Sequence, residues 1–251
     1  MQAAALAEQH PSYLFQGREV TLPVFVRKAR SATATYVVSS EAAQRLIPGD
    51  SLEVAEILPG RALFSLASID YEDNDLGDYN EVSMAFFVRE RGEPAGFPYA
   101  GTAYDFARAR LSTYIHRLPV NQEFTCEAGN GIWGFPKTVE EIDIDHGDGR
   151  CRTRLASGGR HILTFSLPHG GTHKIPDTEM TTYTHIDGEL HRTRFLSGAE
   201  DCGFSLGGAE LELGDHPIAA ELRSLGLPRR ALFTAWMGTM YGRFDAPEPL
   251  T

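Results

Sequence analysis

The stretch RALFSLASIDYEDNDLGDYNEVSMAFFVRE, residues 61–90, decides the fold class. RALFSLASIDYED and YNEVSMAFFVRE read as two strands, and the turn-rich EDNDLGD joins them. Upstream, EVTLPVFVRKA (19–29) and SATATYVVSS (31–40) carry β-branched and aromatic residues in rough alternation, which suits two half-buried strands. SSEAAQRLIPGD (39–50) offers a serine cap and a Pro48-Gly49 stop, hence one short helix. Downstream, TAYDFARARLSTYIHRL (102–118) places apolar or aromatic residues at 104, 107, 111, 114, 115 and 118, the spacing of one helical face. NQEFTCEAGNGIWGFPK (121–137) contains a Gly-Asn-Gly turn signal and reads as an irregular segment, where a site loop would sit.

The second half repeats the strand signature. EEIDIDH, RCRTRLA and HILTFSLP, between residues 140 and 168, read as a meander with tight glycine turns, and residues 179–199 as a hairpin across Asp187-Gly188. AELELG (209–214) reads as a strand, HPIAAELRSLGL (216–227) as a short helix ending at Gly226, and residues 229–247 as a closing strand or an interface segment. The expectation is one α+β domain over residues 1–251, built on a large, mainly antiparallel sheet curled or closed as a barrel, with a few short helices. Residues 1–15 are expected to form a loose N-terminal arm.

With 251 residues, 42% of them hydrophobic, the chain can bury a sizeable core. Its net charge of −11 and the lack of a basic run argue against nucleic acid or an anionic membrane surface as partner and favour a small soluble metabolite. No apolar run reaches the length of a spanning helix, and residues 1–17 carry no secretory pattern. Cys126, Cys151 and Cys202 are far apart and odd in number, so neither a disulfide framework nor a thiolate zinc site is read. A reducing cytoplasm is the expected compartment.

Among 23 Lys plus Arg, only Lys28, Lys137 and Lys174 are lysine. A chain that carries its surface charge on arginine and keeps a lysine after Ile-Trp-Gly-Phe-Pro points to an amine that must be able to lose its proton, which arginine cannot do. The competing reading packs the Lys137 stem on Trp133 and Phe135 with its head in water. Other chemistries are less well supported. His169 and His173, and His185 and His191, lack metal-ligand spacing, and neither a serine-nucleophile elbow nor a dinucleotide-binding turn is read, so no cofactor and no metal is expected. DYEDNDLGDYNE has six carboxylates in twelve residues but not the calcium-loop spacing, and reads as a solvated turn. Glu81 differs from the other five, because NEVSMAFFV places it at the mouth of an apolar strand, where an acid can touch a ligand.

GDYNEVSMAFFV, followed some fifty residues later by IWGFPKTVEEI, resembles the acetoacetate decarboxylase family, whose recurrent features are a Gly-x-Tyr-x-Glu strand start and a Gly-Phe-Pro-Lys stretch. The resemblance extends more loosely over most of the chain. It implies a cone-like, largely antiparallel barrel with an internal site, and a lysine, here Lys137, that forms a Schiff base with a ketone carbonyl. A protonated imine is an electron sink for the pair released when a neighbouring C–C bond breaks. Glu81 takes the family's acid position, a role in orienting substrate or moving a proton. Tyr79, Trp133 and Phe135 are the expected surroundings of the substrate. Arg27 lies where the family tends to place a carboxylate-binding arginine, with Lys28 and Arg30 as neighbours in the same stretch and a strand-edge charge as the alternative.

Two departures bear on the reaction. The family's decarboxylases carry a second lysine where this chain has Thr138, and a glutamate where it reads FSLAS around Leu66. The resulting expectation is a cofactor-independent Schiff-base lyase acting on a small oxo acid or ketone, with aldolase-dehydratase or decarboxylase chemistry. The alternatives are acetoacetate decarboxylase itself, a ligand-binding barrel without chemistry, and a metal-assisted hydrolase. The apolar ALFTAWMGTMYG (231–242) leads to an expectation of self-association.

Overall fold

The computed structural model describes residues 11–93 and 97–250. Most of the expected N-terminal arm, residues 1–10, lies outside the described residues. The remainder is not loose: β1 (Ser12–Phe15) pairs antiparallel with β2 (Arg18–Thr21). The chain continues through β3 (Val24–Ser39), helix α1 (Ser40–Gln44), β4 (Leu52–Val54), β5 (Glu56–Leu58), β6 (Arg61–Asn74), β7 (Tyr79–Glu90), α2 (Ala100–Ala107), β8 (Ser112–Val120) and α3 (Glu123–Trp133). There follow β9 (Lys137–Val139), β10 (Glu141–Asp145), β11 (Arg150–Ser157), β12 (Arg160–Pro168), β13 (His173–Ile186), β14 (Glu189–Ser205), β15 (Glu210–Leu213), α4 (Pro217–Ser224), β16 (Phe233–Phe244) and β17 (Glu248–Pro249).

Strands β7, β6, β3, β16, β14, β13 and β8 pair in that order, and β8 pairs back to β7, which closes a barrel. Every pairing in the ring is antiparallel except β13 with β8. A second sheet, β10-β11-β12-β15, packs on the outside. The mainly antiparallel closed barrel with a few short helices is the architecture expected from the strand pattern.

Successive strand side chains point to opposite faces, so a strand covered on both sides has no polar face. In β3, Ser31, Thr33 and Thr35 point into the barrel, while Ala32, Ala34, Tyr36 and Val38 point out and are buried under the second sheet and α4. In β7, Glu81, Ser83 and Ala85 point in, and Val82, Met84 and Phe86 point out into that same core. The barrel is thus packed hard on its outer face and lined inside by small and hydroxyl side chains.

Three expectations are corrected. The helix read over 102–118 is α2 followed by a turn with Ala109 at φ 52° and then β8. Its helical spacing has a strand origin: the β7–β8 register shifts between Met84 and Ala85, so Ile115 and Leu118, three apart, both face the interior. The irregular segment at 121–137 is mostly helix α3, whose buried Phe124, Ala128 and Ile132 follow the i, i+4, i+8 spacing of one face. The two strands read over 19–40 divide elsewhere: residues 19–21 belong to β2, and Val24–Ser39 form one long strand, β3, which spans the barrel wall without a break near residue 30. The apolar tail is the barrel strand β16, with Ala235, Met237 and Met240 turned inward, so its apolarity carries no argument for self-association.

Helix α4 is tied to the barrel by charge. Arg117 of β8 donates from Nε and Nη2 to Glu221 at 2.8 and 2.9 Å, and His116 Nε2 lies 2.8 Å from the same carboxylate. Burial pushes the Glu221 carboxyl up, but the bonds from Arg117 and His116 outweigh it and hold it down at about 2. A carboxyl depressed on folding stabilises the fold above its unfolded value and loses that contribution as pH falls through the folded one. Glu221→Gln should therefore lower stability by about 1–2 kcal/mol at neutral pH, after screening of a partly exposed group. The deficit should shrink between pH 5 and pH 2 in denaturant titrations.

Candidate active site

Lys137 begins β9, which runs parallel to β8 with Leu118 opposite Lys137. Strand β13 pairs β8 only at Thr113 and Tyr114, so β9 takes the edge of β8 that β13 leaves open. The approach to that edge is held by α3. The helix ends on Gly134 at φ 62°, a left-handed cap where a Cβ would also meet the His185 carbonyl at 2.3 Å. Thr184 Oγ1 donates to the Trp133 carbonyl at 2.5 Å, and Trp133 Nε1 donates to the Asp245 carbonyl at 2.8 Å. Asn130 then clamps the lysine backbone from both sides: Lys137 N donates to Asn130 Oδ1 at 3.0 Å, and Asn130 Nδ2 donates to the Lys137 carbonyl at 3.2 Å.

The Lys137 stem lies against Gly129 of α3, where a Cβ would sit 2.6 Å from Cδ and 2.7 Å from Cε. From there Nζ reaches Glu81 Oε2 at 2.9 Å, with only 3% of the lysine and 7% of the glutamate side chain exposed. Glu81 sits on β7 opposite Val120, so the pair spans the full width of β8. Tyr71 of β6 donates its hydroxyl to Glu81 Oε1 at 3.4 Å, and its ring stacks on Tyr79 with centroids 4.5 Å apart. The Tyr79 ring lies 4.9 Å from Nζ, within cation–π range. Burial pushes both phenols well above the ordinary tyrosine range, and the Glu81 charge adds to it, so both remain protonated donors.

These groups face a cavity of about 740 Å³ inside the barrel, lined mainly by apolar side chains. Of the expected site residues, Lys137, Glu81, Tyr79, Trp133 and Phe135 all line it, and the Trp133 and Phe135 rings stack at 5.6 Å. Arg27 is corrected. Strand alternation turns it outward from β3, where it is half exposed and bonded to Asp73 at 2.8 Å and Asp75 at 2.6 Å. Lys28 and Arg30 are likewise taken by the outer acids Glu72 and Asp70, so neither replaces it in the cavity. Tyr71, Gly129 and Asn130 were not read as site residues. The Tyr71 signal was available, since the register of the 61–90 hairpin sets Tyr71 opposite Tyr79.

Two sequence motifs require correction as well. Residues 129–134, Gly-Asn-Gly-Ile-Trp-Gly, do have G-x-G-x-x-G spacing, but they close α3 rather than open a helix. Their glycines answer to packing: Gly129 to the Lys137 stem, Gly131 to the Phe15 ring, Gly134 to the cap. Residues 203–207, Gly-Phe-Ser-Leu-Gly, match G-x-S-x-G, but Ser205 ends a strand and its Oγ is bonded to Thr234 Oγ1 at 2.7 Å rather than to a histidine. Among the described residues no group of three or more His, Cys, Asp or Glu is placed to hold a metal ion, and no helix is long and apolar enough to cross a membrane.

A buried ammonium–carboxylate pair in an apolar hollow can pass a proton between its members without water, and each member is positioned to meet a carbonyl group entering the cavity. Gly129→Ala tests the placement. The added methyl improves helix propensity by up to ~1 kcal/mol and meets only a flexible stem, so the fold should hold. Nζ should leave Glu81, and kcat/KM should fall by at least ~10-fold, since small misplacements of reacting groups are costly. Thermal melting and turnover measured on one preparation separate the two effects.

The acetoacetate decarboxylase (ADC) family model matches residues 11–245. The acetoacetate decarboxylase of Acidiphilium cryptum (strain JF-5) is 25% identical over 165 residues, which cover 61% of this chain and 58% of that relative's length. Among solved structures, the acetoacetate decarboxylase from Legionella pneumophila subsp. pneumophila str. Philadelphia 1 superposes with a TM-score of 0.67 at 15% identity, covering 100% of this chain and 92% of that one. The enduracididine biosynthesis enzyme MppR complexed with pyruvate superposes with a TM-score of 0.59 at 17% identity, covering 91% and 90%. These structural likenesses are likenesses of fold.

Proposed function

The chain belongs to the acetoacetate decarboxylase family, and from that premise we propose that it is a Schiff-base lyase in which Lys137 forms an imine with a ketone or oxo acid. The observation that supports this reading most is the 2.9 Å contact between Lys137 Nζ and Glu81 Oε2 deep in the apolar cavity. MppR, a protein of similar fold, has been solved complexed with pyruvate, a small oxo acid.

The steps follow from the placement. Glu81 takes a proton from the ammonium, and the freed amine adds to the substrate carbonyl carbon. The proton returns to the carbinol oxygen, water leaves, and the resulting protonated imine is paired with the Glu81 carboxylate. The bond from the neighbouring carbon to its leaving group then breaks, and its electron pair enters the imine to give an enamine. Carbon dioxide leaves if that group is a carboxylate; an aldehyde leaves if it is a carbinol carbon whose hydroxyl gives up its proton. Protonation of the enamine carbon and hydrolysis of the imine release the product ketone and restore Lys137. Tyr71, held neutral by burial, keeps its hydroxyl directed at Glu81 and fixes the carboxylate while the charge on Lys137 changes.

Enamine formation exchanges protons on the carbon next to the carbonyl, whatever the later step. In deuterium oxide the protein should exchange those protons of acetone, pyruvate or acetoacetate, and Lys137→Arg should not. Equal exchange by Lys137→Arg would overturn the reading.

A further inference from the structure

The cavity extends far beyond the pair. Every inward residue of β7 from Tyr79 through Glu81, Ser83 and Ala85 to Phe87 lines it. At a strand rise of about 3.3 Å per residue, Glu81 and Phe87 lie roughly 20 Å apart along the strand. The middle of this length is open because its walls are small: Ser83, Ala85, Ala67, Ser65, Thr33 and Ala235. Its far end is an aromatic group in which Phe106 of α2 meets Phe87 edge-on at 5.3 Å and Phe233 at 6.4 Å, and Phe204 stacks on Phe233 at 5.9 Å. Phe204 is 44% exposed, so this end reaches the surface.

Charge is confined to the near end. Among the described residues, Lys137 and Glu81 are the only charged side chains lining the cavity, since Arg27, Lys28 and Arg30 face outward. A second carboxylate placed along the length would be buried without a cation. Voids of roughly 300–1,000 Å³ enclose a drug-sized molecule and are much larger than a three- or four-carbon oxo acid needs.

We infer that the substrate is a 3-oxo acid or ketone with a long, unbranched apolar chain, whose carbonyl meets Lys137 while its tail runs past Ser83 and Ala85 to the Phe87, Phe106 and Phe233 rings. The inference rests on the imine reading of Lys137, and it adds a substrate class to it. Small wall residues leave room for the chain, the aromatic end holds its terminus, and the lone charged pair restricts polarity to the head.

A series of methyl ketones tests it through proton exchange in deuterium oxide. The exchange rate per unit ketone, corrected for the uncatalysed rate, should rise on the order of 10²-fold from butanone to heptanone, each buried methylene contributing roughly a factor of four. It should rise again or level off at decanone. Ala85→Leu, which narrows the middle, should cut the decanone-to-butanone ratio by at least ~10-fold. Exchange of butanone with equal or slower exchange of heptanone and decanone in the wild-type protein would overturn the chain-length inference and leave Lys137 chemistry standing. No exchange with any ketone would instead overturn the imine reading beneath it. The wild-type series decides the matter even if Ala85→Leu fails to fold.

Discussion

Glu81→Gln should lower kcat/KM by 10²- to 10⁴-fold, the range of about two to four powers of ten typical of a positioned general acid–base. The amide matches the carboxylate in shape, so it can still accept from Tyr71, now 3.4 Å from Oε1, and still fill the space beside Lys137. It cannot take the ammonium proton, and it offers no charge to the protonated imine. Both losses slow imine formation, so the burst of substrate capture should slow with the steady state. Steady-state and single-turnover rates on Glu81→Gln and Glu81→Asp check this. A glutamine variant within threefold of wild type would remove Glu81 from the chemistry.

The second large effect is on stability. Removing the amine in Lys137→Met leaves the Glu81 carboxylate almost wholly buried with Tyr71 as its remaining donor. An uncompensated buried charge of this kind costs about 3–5 kcal/mol. The retained tyrosine bond favours the lower end, about 3 kcal/mol. The double variant Lys137→Met with Glu81→Gln should recover most of that loss, because replacing a buried pair by neutral groups of similar volume is often neutral or stabilising. Denaturant unfolding of both single variants and the double variant gives the coupling directly. Additive losses would mean that the two groups do not depend on each other in the folded protein.

The sequence was readable where local pattern and tertiary role agree. The hairpin at 61–90 is an example: its alternation places Ile69, Tyr71, Tyr79 and Glu81 on one face, and the structure keeps them there. It misled where one residue served two demands. In EFTCEAGNGIW the glycines and asparagine that look like a turn belong to a helix, because Gly129 must admit the Lys137 stem and Asn130 must hold the Lys137 backbone. Helix propensity is weak there, and packing prevails. In LSTYIHRL a strand bulge imitates a helical period. Arg27 was misplaced because motif position does not say which face of a strand a residue takes, and a one-residue difference moves it from cavity to surface. The length of the cavity was not visible at all, since it arises from small residues on separate strands that only closure of the barrel brings together.

If Lys137 bonds covalently to a carbonyl substrate, borohydride reduction in the presence of acetoacetate, pyruvate or a methyl ketone will trap the bond, and peptide mass spectrometry will locate it. Reduction freezes the imine as a secondary amine. Lys28 and Lys174, both at the surface and paired with Glu72 and Glu200, serve as controls within the same chain. The expected result is a substrate-sized mass increase on the peptide carrying Lys137 and on neither control, absent from Lys137→Arg. No adduct with any of the three carbonyl compounds, or an adduct spread equally over all three lysines, would contradict it.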